Sequence, residues 1–136
     1  MTNDIKKIME DFEFFESWED KYSYIIELGN SLEEIDQSRK TEENKVLGCV
    51  SQVWLISERR EGRFYFYGSS DAFIVKGLLV IIFAAFSGKT KEEILEKDFE
   101  LIFAKLDLSS HLSKSRSNGV YSVVKRIKHI AESENN

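Results

Sequence analysis

The stretch VWLISERREGRFYFYGSSDAFIVKGLLVIIFAAF, residues 53–86, holds the readings on which the fold depends. Residues 53–57 and 64–67 are short runs of β-branched and aromatic side chains, which suit a pleated, half-buried surface. The segment ERREG between them has turn character through Gly62, so the two runs predict an antiparallel hairpin. Residues 74–86 are almost continuously apolar. They fall short of the roughly 20 residues that span a bilayer, and Lys76 and Gly77 interrupt them, so the spacing predicts a buried core helix. Ser69 and Ser70 stand where a helix cap is needed, which starts that helix at about Asp71. Asp71 then has a structural reading as a first-turn carboxylate favoured by the helix dipole.

Working outward, residues 45–47 could add a third short strand to the hairpin. Upstream, Ile5, Ile8, Met9, Phe12 and Phe15 recur at helical spacing. Ser17 followed by Asp20 is a capping-box pattern that restarts the chain as a second helix, presenting Trp18, Tyr22, Ile25 and Ile26 and ending near Gly29. Residues 30–45 are polar and weakly periodic and read as an exposed connection. Downstream, Thr90 and Glu93 form another capping box, ahead of Ile94 and Leu95. Residues 113–118, SKSRSN, read as a loop, and Val120, Val123, Val124, Ile127 and Ile130 make one stripe of a last helix. The expected class is α+β, a small antiparallel β-sheet covered by helices, in one domain over residues 1–136.

Bulk properties exclude several functions. A chain of 136 residues buries about two-thirds of its unfolded surface and folds without staples. Its formal net charge is −5, with 32% charged residues and no basic tract, so it carries no footprint for nucleic acid. The single cysteine rules out an internal disulfide and fits a reducing compartment. The N-terminus interleaves acidic and apolar residues, unlike a signal peptide. A soluble cytoplasmic protein, bound neither to membrane nor to nucleic acid, is the expectation.

Cys49 leads the candidates for chemistry. A free cysteine is commonly a small buried hydrophobe, but two features point elsewhere. Gly48 lets the backbone turn sharply and sets the side chain at a loop tip, and Ser51 and Gln52 dilute the apolar surroundings. An exposed thiol can attack a sulfur electrophile as its thiolate. At an ordinary pKa of about 8.5 only about 3% is ionised at pH 7, so a cation would help, and Arg116 is the candidate. His111 could pair with Cys49 as a dyad, although nothing local supports it. One cysteine and two distant histidines do not make a zinc site. There is no glycine-rich phosphate loop and no GxSxG elbow, and no cofactor is implied. Arg59, Arg60 and Arg63 read as solvated charge at the hairpin turn. Residue by residue, the sequence yields an α+β domain with one accessible thiol and no named function.

Four blocks supply more. Trp18-Glu19-Asp20-Lys21-Tyr22-Ser23-Tyr24-Ile25-Ile26-Glu27-Leu28-Gly29 is similar to the N-terminal signature of the SufE family, whose branches include CsdE-like proteins. Asn44-Lys45-Val46-Leu47-Gly48-Cys49-Val50-Ser51-Gln52-Val53-Trp54 resembles its active-site loop. Gly68-Ser69-Ser70-Asp71-Ala72-Phe73-Ile74-Val75-Lys76-Gly77 resembles its third motif, and His111-Leu112-Ser113-Lys114-Ser115-Arg116-Ser117-Asn118-Gly119 its fourth. They occur in the family's order along nearly the whole chain.

The resemblance implies a fold like that of IscU-type scaffolds and a sulfur carrier without an enzyme's complete active site. Cys49 would take sulfane sulfur from a pyridoxal-phosphate cysteine desulfurase of the SufS type and pass it to an iron–sulfur scaffold complex of the SufBCD type. Gly48, Ser51, Gln52, Asp71, Arg116 and His111 would support the loop or meet the partner. With one thiolate, the chain would carry sulfur without building a cluster unaided. Glu33 and Lys114 stand where family members often have proline, which loosens the local backbone but removes no reactive group. The alternative is a regulatory module that binds a desulfurase without covalent chemistry, its cysteine incidental. A thiol hydrolase comes third, for want of an assignable base.

Overall fold

The computed structural model describes residues 4–133; the first three residues of the leader reading lie outside them. Two helices, α1 (Ile5–Phe14) and α2 (Trp18–Gly29), precede the long connection, which contains a single 3-10 turn at Gln37–Arg39. The strands β1 (Val53–Arg60) and β2 (Arg63–Ser70) follow, then α3 (Phe73–Phe86), β3 (Lys89–Thr90), α4 (Lys91–Glu96), α5 (Phe99–Lys105), α6 (Leu108–His111) and α7 (Lys114–Ser133). The sheet is antiparallel in the order β1-β2-β3. The α+β class expected from the sequence is the one observed.

The centre of the fold is α3, which buries eleven of its fourteen residues. A helix apolar on every side is stable only when covered on every side. On one side lies β2, with Phe64 and Phe66 turned inward. On another lies α2, and the two helices meet backbone to backbone through Gly29 and Gly77. A Cβ on Gly77 would sit 1.9 Å from the Ile25 carbonyl oxygen, and one on Gly29 would sit 2.9 Å from the Gly77 nitrogen. Val120, Val123, Val124, Ile127 and Ala131 of α7 complete the core.

The hairpin register pairs Arg60 with Arg63, and Glu61 and Gly62 both have positive φ (52° and 78°). That two-residue turn matches the right-handed twist of the strands it joins. Several boundaries differ from the sequence reading. Both strands run longer than expected, so Ser69 and Ser70 lie in β2 and are buried. The α3 helix starts at Phe73, with Ala72 as its cap residue, and the Ser70 hydroxyl accepts from the Ala72 nitrogen at 3.2 Å. The expected strand at residues 45–47 is reduced to one bridge between Lys45 and Trp54, and β3 is the third strand. Residues 114–118 are not loop but the first turn of α7, because Ser113 caps it: its hydroxyl accepts from the Arg116 nitrogen at 3.1 Å. Among the described residues no helix is long and apolar enough to cross a membrane.

Candidate functional site

The cysteine loop is pinched off at its base. Val46 donates its N–H to the Val53 carbonyl and Leu55 donates to the Asn44 carbonyl, both at 2.8 Å, which leaves residues 47–52 to bulge from the end of β1. Gly48 has φ 93°, and a Cβ there would lie 2.6 Å from Ser122 Oγ of α7. The positive φ favours glycine, and a Cβ would in addition displace the Ser122 hydroxyl. The tip is exposed, with Leu47 at 81% and Val50 at 84%.

Cys49 faces the other way. Its thiol is half-buried and enters a cavity of about 190 Å³, walled mainly by Val75, Leu78, Leu79, Val120 and Val123. The Sγ donates to the Gly119 carbonyl at 3.6 Å. Gly119 lies within α7, and a Cβ there would meet the Sγ at an ordinary van der Waals distance of 3.6 Å, so the α7 backbone itself borders the thiol. The sequence expectation of an exposed thiol is therefore corrected: the loop tip is exposed and the sulfur is turned inward. Desolvation pushes the thiol pKa up, because burial penalises the charged form. At neutral pH the resting thiol is protonated and a poor nucleophile.

Three side chains hold the loop in this position. Asp71 Oδ1 accepts from the Gln52 nitrogen at 3.0 Å, and the Gln52 carbonyl accepts from the Asp71 nitrogen at 3.3 Å. Asp71 precedes α3 and ties down the loop; it is not in the helix's first turn. Arg116 reaches Ser51 Oγ at 3.4 Å and lines the cavity with Cys49. It braces the loop without lowering the thiol pKa, which burial alone shifts. Arg126 forks onto the Lys45 and Glu43 carbonyls at 3.2 and 2.9 Å and anchors the incoming strand of the loop. His111 takes no part: it stacks on Trp18 at 4.4 Å, and its Nδ1 lies 2.9 Å from the Asp107 carbonyl.

Glu34 and Arg126 are residues the sequence reading missed. Glu34 gathers the connection against the core. It accepts from the fully buried Ser69 hydroxyl at 2.7 Å and pairs with Lys76 at 2.9 Å and Lys40 at 3.6 Å. Desolvation raises its pKa, but the hydrogen bonds from Lys76 and Ser69 and the charges of Lys76 and Lys40 outweigh it and leave the carboxyl below its ordinary value. The only sequence clue was Lys76, a charge within an otherwise apolar helix that requires a partner.

Chemically, the arrangement offers one thiol, half-buried in a largely apolar cavity at the base of an exposed loop. Comparison with known proteins identifies the family. The chain is 46% identical over 132 residues to an uncharacterized SufE-like protein of Rhizobium meliloti (strain 1021), covering 94% of both chains. A SufE-like protein of Rhizobium etli is also 46% identical, with 94% of this chain and 89% of that one covered. In fold, the molecule is similar to the solution structure of a hypothetical protein from Thermus thermophilus, with a TM-score of 0.76 at 16% identity over 94% and 93% of the two chains. Residues 6–131 match the family model described as SufE, Fe-S metabolism associated domain, and the chain therefore belongs to the SufE family.

Proposed function

We propose that Cys49 is a sulfur acceptor serving a cysteine desulfurase in the cytoplasm. The Cys49 thiolate attacks the outer sulfur of a persulfide on the desulfurase. The bond between the two partner sulfurs breaks, the partner's cysteine leaves as its thiolate, and Cys49 becomes the persulfide. The proton shed by Cys49 goes to the leaving thiolate or to solvent, and no outside oxidant is needed. Sulfur then passes to an iron–sulfur scaffold complex of the SufBCD type.

The observation that supports this reading best is the placement of the chain's only cysteine. It sits on a glycine-turned loop with its sulfur in a cavity shaped by α3 and α7. A protonated, inward-facing thiol is a resting state, so reaction requires the loop to swing out and the partner's site to favour the thiolate. Leu47 and Val50 at the tip give a docking partner apolar surface to grip, and the larger surface around them supplies the binding energy.

The test compares wild type with Cys49→Ser, which keeps the volume and removes the sulfur nucleophile. Binding to the desulfurase is followed by calorimetry, and turnover by sulfide release with a reductant present. Cys49→Ser should bind within about threefold of wild type, a difference of about 0.6 kcal/mol, yet fail to stimulate turnover. Full stimulation by Cys49→Ser would favour a non-covalent regulatory module instead.

A further inference from the structure

The α7 helix carries a second feature beside the cysteine loop. Gly119, Ser122, Arg126 and His129 follow one another at steps of three, four and three, and so share one face of the helix. Gly119 touches the thiol, Ser122 packs under Gly48, and Arg126 holds the strand leading into the loop. Beyond them a groove of about 440 Å³ is lined by Val46, Leu47, Ser122, Lys125, Arg126 and His129. Three of these six carry nitrogen cations or an imidazole, and none is a carboxylate. Arg126 spends its fork on backbone carbonyls and so keeps its whole charge. Lys125 and His129 are exposed and make no ion pair among the described residues.

This groove stands against the charge of the rest of the protein. Residues 1–29 hold eight carboxylates against three lysines, which accounts for the entire net charge of −5. The acidic end is thus α1 and α2, whereas the groove beside the cysteine loop is lined by Lys125 and Arg126 and by no carboxylate. Along α7 the step from Gly119 to His129 is about 15 Å at 1.5 Å per residue. A chain segment lying in the groove would end beside the cysteine loop, at Leu47.

We infer that this groove docks an acidic segment of the sulfur-donating desulfurase, next to that enzyme's sulfur-bearing cysteine. The inference rests on the sulfur-acceptor reading above. A negatively charged segment is drawn to Lys125 and Arg126 and repelled by α1 and α2, so the encounter is oriented with the cysteine loop facing the donor. The exposed Leu47 adds an apolar contact at the loop end of the groove. The six residues lining the groove are few beside the roughly 20–30 residues that each partner contributes to a stable interface, so the groove acts as one anchor of a wider interface.

Two variants with the same change in net charge test it. Lys125→Glu alters the groove. Lys105→Glu alters α5, where the side chain is exposed and lines a separate groove that shares no residue with the first. Affinity for the desulfurase is measured by calorimetry at low and high salt, and sulfur loading of Cys49 by intact mass at saturating desulfurase. Lys125→Glu should weaken binding about tenfold at low salt, and most of that loss should vanish at about 0.5 M salt, where the screening length falls to a few Å. Lys105→Glu should stay within about twofold of wild type, and all three proteins should load sulfur fully at saturation. Equal affinity of Lys125→Glu and wild type, or an equal loss in Lys105→Glu, would overturn the groove. Absence of sulfur on wild-type Cys49 is a different result, and it would sink the acceptor reading itself.

Discussion

The Cys49 thiol is held by three residue-scale choices: a glycine before it, a carbonyl to donate to, and apolar walls. Burial raises its pKa, so the native state favours the protonated form. The sign follows directly. The contribution of the buried thiol to stability is complete below the pKa of the unfolded chain and is lost as pH rises through the higher folded value. Alkylation by iodoacetamide should therefore be slower in the native protein than in the denaturant-unfolded chain, with its pH midpoint displaced upward. Gly48→Ala must place a Cβ at positive φ and 2.6 Å from Ser122 Oγ, a strain of about 1–3 kcal/mol. It should loosen the loop and speed alkylation; an unchanged rate would mean that the loop is not held in by this turn. Cys49 was legible in the sequence as the proposed acceptor, because it is the chain's only cysteine and follows a glycine. Its orientation was not, since the walls come from α3 and α7, 26 to 74 residues further along the chain.

At the scale of elements, α3 was legible as a nearly continuous apolar run too short to span a bilayer, and the hairpin through its defined turn. The start of α7 was not: serine, lysine and asparagine dominate it, and only the Ser113 cap and the valine stripe behind it make the segment helical. The α5 and α6 helices, of seven and four residues, are too short to display a period and exist by packing Phe99, Ile102, Phe103 and Leu108 into the core. The crossing of α2 and α3 gives the sharpest stability test. Gly77→Ala drives a methyl group against the backbone of Ile25 and should cost about 1–3 kcal/mol or more in urea denaturation. Leu79→Ala, at a side chain 1% exposed, should cost about 2–5 kcal/mol. Near-zero changes at both positions would show that α3 is not the centre of the core.

For the whole molecule, the long connection is what joins the helical layer to the reactive loop. Its polar residues predict an exposed connection, and most of it is exposed; its ties to Ser69, Lys76 and Arg126 were not legible, because those partners are distant in sequence. Glu34 binds it to the core with a depressed pKa, so that contribution is present at neutral pH and is lost as pH falls through the folded value, below the ordinary carboxylate range. Glu34→Gln keeps an acceptor for Ser69 but removes the charge, and it should flatten the acid limb of the stability curve; a limb parallel to wild type would show that the ion pairs contribute nothing. The central claim is that this connection and α7 together hold a single sulfur ready for transfer. Its most direct test is the intact mass of the protein after incubation with its cysteine desulfurase, pyridoxal phosphate and cysteine. Wild type should gain about 32 Da, one sulfur atom, and lose it to a reductant, while Cys49→Ser gains nothing. An unmodified wild-type mass in the presence of an active cognate desulfurase would contradict the account.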